Sequence, residues 1–232
     1  MKNTIFALGL FSSFFLVSCD NPADATTDAE VSTAKEVATA DNADAVTYKF
    51  TDNSKITFIG SKPNGSTKTG GFKDTAGQFK LVDGKPVSGS FSIDMNSIYS
   101  ENENLTAHLK NEDFFDVPKY PTSKFEVTKF GELKDGTVEL SGNLTMLAVT
   151  KNITVPAMVV NEGETIKLTS EFDINRQDWG IVYKGKPNSL PDELIRDEVV
   201  ITFDLEAKVE NYSIDPATRS QVCQICIDVM PP

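Results

Sequence analysis

Asp197-Glu198-Val199-Val200-Ile201-Thr202-Phe203-Asp204-Leu205-Glu206-Ala207-Lys208 is a two-faced row: Val199, Ile201, Phe203, Leu205 and Ala207 share one parity, and Thr202, Asp204, Glu206 and Lys208 the other. Successive side chains of a strand point to opposite faces, so this row builds a strand buried on one side and wet on the other, as antiparallel sheets require. The same period recurs upstream. Phe91, Ile93 and Met95 alternate with Ser90, Ser92 and Asp94, while Val138, Leu140, Leu144 and Met146 share a parity that Gly142 interrupts on the same face. Between the rows stand Asp83-Gly84, Asp135-Gly136 and Glu162-Gly163, dipeptides suited to hairpin turns because glycine accepts φ > 0. Neither an internal repeat nor a strand–helix alternation occurs, which disfavours a parallel α/β sheet.

One stretch departs from the period. Ser100-Glu101-Asn102-Glu103 fits a capping box, Leu105 and Leu109 follow at helical spacing, and a further turn over 111–115 stops before Pro118. The expectation for residues 47–211 is all-β with a short helical insertion, about eight antiparallel strands closing into an extended barrel without free edges. A sandwich satisfies the periodicity alone equally well.

Charge and composition narrow the function. With 34 acidic against 22 basic side chains the net charge is -12, the wrong sign for a nucleic-acid partner or for polybasic contact with an anionic bilayer. The single histidine, His108, excludes His-rich zinc sites and leaves any Ser-His or Cys-His scheme resting on one residue. Neither a catalytic constellation nor a metal site is expected.

The N-terminus reads as an address. Lys2 precedes an apolar run from Ile5 to Val17 that ends in Leu16-Val17-Ser18-Cys19. The run suits a signal peptide over residues 1–18 and is short for a membrane span. Its end resembles the lipobox of bacterial lipoproteins, which makes Cys19 the lipidated residue; the alternative is an ordinary secretory signal with an incidental cysteine. From Asp20 to Val46 the chain is mainly Ala, Thr, Asp and Glu, with Lys35 its one basic residue and no aromatic. Residues 19–46 are therefore expected to be a disordered tether reaching about 30 Å, at most transiently helical over 29–40. At the other end, residues 212–232 form a tail with Cys223 and Cys226 in a CxxC spacing ahead of Pro231-Pro232. A local disulfide fits an oxidising envelope, thiol-redox use is the alternative, and zinc would need two further ligands.

In order, residues 47–211 contain Gly71-Phe72-Lys73-Asp74, Gly77-Gln78-Phe79, His108-Leu109-Lys110-Asn111-Glu112-Asp113-Phe114-Phe115-Asp116, Lys119-Tyr120-Pro121, Gly142-Asn143-Leu144-Thr145, Val149-Thr150-Lys151 and Arg176-Gln177-Asp178-Trp179-Gly180. Together these blocks resemble the YceI-like family of secreted bacterial proteins. The resemblance implies a lipocalin-like antiparallel barrel that takes a polyisoprenoid, isoprenoid quinone or fatty amide into its lumen, with no catalysis and no cofactor beyond that lipid. It also implies a place in the bacterial cell envelope, with the membrane reached through the lipid anchor.

Parity and the family's motif positions nominate Phe58, Phe72, Phe91, Ile93, Phe125, Leu144, Met146 and Trp179 for the lumen, with Leu109, Phe114 and Phe115 closing one end; each also reads as ordinary core. His108, Lys151, Arg176 and Asp178 are candidates for a ligand head group, against the plainer readings of a rim histidine, a solvated lysine and an internal ion pair. Leu147-Ala148 departs from the polar residue and glycine that relatives carry there, which shifts the expected ligand towards a less polar head. Three functions remain: a lipid-anchored carrier or reservoir, a structural or stress-associated envelope protein with a filled barrel, and a thiol-redox protein using Cys223 and Cys226.

Overall fold

The period of two becomes a closed wall. The computed structural model describes residues 21–39, 44–187, 189–191 and 193–210. In chain order these form β1 (Thr27–Asp28), β2 (Glu30–Thr33), β3 (Val46–Phe50), β4 (Lys55–Ser61), β5 (Thr67–Phe72), β6 (Thr75–Val82), β7 (Lys85–Asp94) and β8 (Ile98–Ser100). After the helix α1 (Glu103–Leu109) come β9 (Thr122–Phe130), β10 (Thr137–Met146), β11 (Val149–Asn161), β12 (Thr165–Asn175) and β13 (Glu198–Val209). Strands β3, β6, β7, β9, β10, β11, β12 and β13 pair in that order, and β13 returns to β3, so an antiparallel barrel closes.

β13, which carries the inward row Val199, Ile201, Phe203, Leu205 and Ala207, is the seam. It pairs with β12 from Thr165↔Lys208 to Asn175↔Glu198. On its other side it meets β3 over residues 207–209 and β4 over residues 199–204. Since β4 goes on to pair with β5, and β5 with β8, the wall divides at this level, and the segment carrying α1 fits into the division.

Alternating hairpins give the barrel two unlike ends. At one lie the turns Asp83-Gly84, Asp135-Gly136 and Glu162-Gly163; the first two have φ of 50° and 73°, and 50° and 78°, the pair of left-handed residues that the twist of a tight hairpin demands. At the other lie the β4–β5 connection, the Leu147-Ala148 turn, α1 and the segment after β12. Phenylalanines fill the first end: Phe91 stacks on Phe125 with ring centres 5.1 Å apart, and Phe203 meets Phe91 and Phe172 edge-on at 5.3 and 5.1 Å.

Two expectations change. The helix cap is Asn102 rather than Ser100: the Asn102 side chain accepts from the Leu105 amide at 3.1 Å, whereas Ser100 Oγ contacts the Asn102 carbonyl and Thr106 Oγ1. The second change is larger. Residues 21–39 are not a free tether but a strap on the outside of the barrel: a 3-10 turn over Pro22–Ala25, then chain that is extended rather than helical. β1 lies parallel to β12 through Thr27↔Phe172, and β2 antiparallel to β11 from Thr154↔Glu30 to Lys151↔Thr33.

The cause is a gap in the wall. β11 and β12 pair only from Met158↔Thr169 to Asn161↔Ile166; Pro156 then supplies no N–H, and the ladder ends. The strands separate towards the end that bears α1, and each exposes an unpaired edge that the strap satisfies. The outward side chain of Asn143 fastens the strap further: its amide nitrogen donates to the Lys35 carbonyl at 2.7 Å and its oxygen accepts from the Lys35 amide at 3.0 Å. A segment without an apolar face thus docks through backbone hydrogen bonds. The signal peptide over 1–18, Cys19, and the tail with Cys223 and Cys226 lie outside the described residues.

Candidate functional site: an apolar cavity at the open end

Beyond the phenylalanine-filled half the barrel is hollow. A cavity of about 430 Å³ occupies the open end, and its walls are almost wholly carbon. β4 contributes Ile56 and Phe58, β5 Phe72, β7 Ile93, β10 Leu144 and Met146, β12 Ile174, and β13 Val199, Ile201 and Phe203. Over the top lie Leu105 and Leu109 of α1, Phe114 and Phe115 from the turn that follows it, and Ile181 and Ile195 from the segment between β12 and β13. Leu109, Phe114, Ile181 and Ile98 pack into a small second core that roofs the cavity.

Of the side chains nominated for the lumen, Phe58, Phe72, Ile93, Leu109, Phe114, Phe115, Leu144 and Met146 line this cavity. Phe91, Phe125 and Trp179 do not. Parity aims Phe91 and Phe125 inward as expected, but at the level where the barrel is packed solid. Trp179 sits in a 3-10 turn over Arg176–Trp179, is 0% exposed, and donates its ring N–H to the Leu144 carbonyl at 3.0 Å. It braces the wall from behind.

Arg176 takes up its hydrogen bonds internally. Its side chain is buried, and it donates to the carbonyls of Arg196 (3.1 Å), Ile181 (2.7 Å) and Ile195 (3.2 Å), with Asp197 Oδ1 at 3.4 Å. Burial pushes its pKa down, while Asp197 and Glu198 oppose the shift; a guanidinium stays charged through such a change. Its partner is Asp197 rather than Asp178, and its work is to tie the 181–196 segment across the cavity.

Asp178 is half-exposed and does not line the cavity. Lys151 stands opposite Leu144 at the open end of β11, half-exposed and also outside the lining. His108 pairs with Asp113 at 2.9 Å and meets the rings of Phe114 and Tyr183 edge-on, so it belongs to the roof's outer rim. The charged residues that line the cavity are Arg176, whose hydrogen bonds are taken up as above, and, at the mouth, Lys62 and Lys68, the latter bridged to Glu101 at 2.8 Å. Among the described residues no group of three or more His, Cys, Asp or Glu side chains is placed to hold a metal.

The residues that sequence reasoning missed fall into two kinds. Ile201 and Phe203 lie on the inward parity that the row over 199–207 already displays, and Ile56 shares the parity of Phe58 in β4. Ile181 and Ile195 come from an irregular segment with no period, placed by the Arg176 hydrogen bonds together with the Ile195 amide to Lys184 carbonyl bond at 2.8 Å. Leu147 and Ala148 form a two-residue turn at φ of 49° and 61°, a conformation costing about 1–2 kcal/mol for each residue with a Cβ. Leu147 packs against the roof, so an apolar side chain stands where a polar one was expected of the family.

A carbon-lined pocket in the open half of a closed antiparallel barrel defines a lipocalin-like barrel. This chain belongs to the YceI-like domain family, whose pattern matches residues 48–207. It is 32% identical to a UPF0312 protein of Pseudomonas putida over 149 residues, covering 61% of this chain and 71% of that one. Among solved structures it resembles Burkholderia cenocepacia BcnA at 24% identity and a TM-score of 0.60, over 67% of this chain and 96% of that one. It also resembles a polyisoprenoid-binding domain from Saccharophagus degradans, implicated in plant cell wall breakdown, at 17% identity and a TM-score of 0.57, over 71% and 99% of the two chains. At these identities the two structures speak to the fold.

Proposed function

We propose that the protein binds one long-chain amphiphile, an isoprenoid, isoprenoid quinone or fatty amide, with its tail in the cavity, and serves as a carrier or reservoir held to the cell envelope by a lipidated Cys19. The cavity itself carries this reading: about 430 Å³ of carbon-lined space falls in the range of small-molecule pockets, about 300–1,000 Å³. At roughly 30 Å³ per water-sized group, it takes on the order of fifteen chain carbons, so a longer polyprenyl would extend through the mouth. The Saccharophagus domain, described as polyisoprenoid-binding, supports the choice of cargo. The rival reading of a filled barrel fits the phenylalanine end alone. The absence of a free cationic group deep in the pocket, with Arg176 turned to carbonyls and Asp197, favours a weakly polar head.

The test is native mass spectrometry of the full chain, purified gently from bacterial membranes, followed by organic extraction. One equivalent of an isoprenoid, quinone or fatty amide is expected. Protein that arrives empty and also refuses added amphiphiles overturns the proposal in favour of the structural role.

A further inference from the structure

We infer that the open end of the barrel lies against the lipid bilayer, so that the cavity exchanges its cargo directly with the membrane. The inference rests on the lipidation of Cys19 proposed above, and two observations carry it.

The strap begins at the mouth. Asn21 is buried and its side-chain oxygen accepts from Ser61 Oγ at 3.2 Å; Ser61 ends β4, lines the cavity, and accepts the Arg196 amide at 2.9 Å. From Asn21 back to Cys19 is two residues, at most about 7 Å of chain. Acyl chains on Cys19 therefore leave the protein beside the cavity mouth. A slack tether would permit any orientation, but here the length that would provide slack is spent along β12, β11 and β10.

Finally, the segment that Arg176 ties over the cavity exposes apolar side chains outward. Val182 is 61% and Leu190 66% exposed. Apolar side chains exposed at such a rim are what an interfacial contact uses, entering the headgroup boundary.

The test uses the full chain with its own leader, expressed in a bacterial host with Cys223→Ser and Cys226→Ser, and an environment-sensitive fluorophore on Val182→Cys or, for comparison, on Asp83→Cys. The protein is reconstituted on vesicles of phosphatidylethanolamine and phosphatidylglycerol with brominated acyl chains. Emission from position 182 is expected to shift to the blue and to be quenched at least twofold more than emission from position 83. Co-flotation with equal, unquenched emission at both positions overturns the orientation and leaves the anchor standing. Failure to float overturns the anchor and this inference with it. Native mass spectrometry of the same preparation reports separately on cargo, so an empty but correctly oriented protein would count against binding alone.

Discussion

The ring of Phe125 occupies the space that a side chain at residue 142 would need: a Cβ on Gly142 would stand 2.1 Å from Phe125 Cζ. The ring cannot swing aside, because Phe91 is stacked on it at 5.1 Å and Phe203 meets it edge-on at 5.8 Å. The glycine that breaks the apolar parity of β10 is thus the socket for the central ring of the filled end. Overpacking here costs about 1–3 kcal/mol. Gly142→Ala is expected to lower the urea midpoint accordingly, and Gly142→Ala with Phe125→Leu to lose less than the sum of the two single changes. Additive losses in that double-mutant cycle would show that the contact does not matter.

Trp179 and the cavity give a paired optical prediction. Trp179 is the single tryptophan of the chain, and its ring is sealed behind Leu144 rather than facing the pocket. Added amphiphile is expected to leave its emission maximum unchanged. Met146→Trp places a second indole in the cavity, where it should take up room needed by the ligand and weaken binding at least tenfold with little loss of stability. Titration by displacement of a fluorescent fatty amide reads the affinity.

Arg176 is expected to be intolerant of substitution. Arg176→Met strands the buried Asp197 carboxylate and the carbonyls of Ile181, Ile195 and Arg196, and breaking a buried pair in this way costs about 3–5 kcal/mol. Arg176→Lys should recover little, since one ammonium cannot reach carbonyls arranged around a planar fork. Denaturant melts give the loss, and limited proteolysis should show cleavage moving into residues 181–196.

The strap is expected to respond to pH through Asp173. Burial raises the pKa of this carboxyl and Asp28 and Glu198 add to the rise, while the Thr26 hydroxyl, 2.9 Å away, opposes it. A carboxyl raised on folding favours the folded form fully below the ordinary aspartate value of about 4 and loses that advantage as pH climbs through the folded value. Strap docking should therefore loosen from acid towards neutral pH. The Ala29 amide, which donates to the Asp173 carbonyl at 2.9 Å, is the reporter: its hydrogen-exchange protection should fall over that window, and Asp173→Asn should flatten the dependence. Equal slopes in both proteins would remove Asp173 as the cause.

The barrel was legible because its strands repeat a strict period and its hairpins carry Asp-Gly turns; both signals are local, and Asp83-Gly84 and Asp135-Gly136 adopt the conformations they advertise. The roof was half legible. Leu109, Phe114 and Phe115 announce themselves by helical spacing and motif, but Ile181 and Ile195 depend on a buried guanidinium whose partners lie up to 21 positions away. Parity alone also could not tell Ile93, which lines the cavity, from Phe91 two residues earlier, which does not: height along the barrel axis decides that, and height follows from register. The strap was invisible because composition predicts its behaviour in isolation. Its docking comes from a vacancy in another part of the chain, signalled by Pro156 in β11.

The filled end makes the barrel a cul-de-sac. A molecule that enters must leave by the same door, so two cargoes cannot pass each other and nothing can be threaded from one side of the protein to the other. Under the proposed function, loading and release are then strictly successive acts, and the cavity is a single berth rather than a conduit.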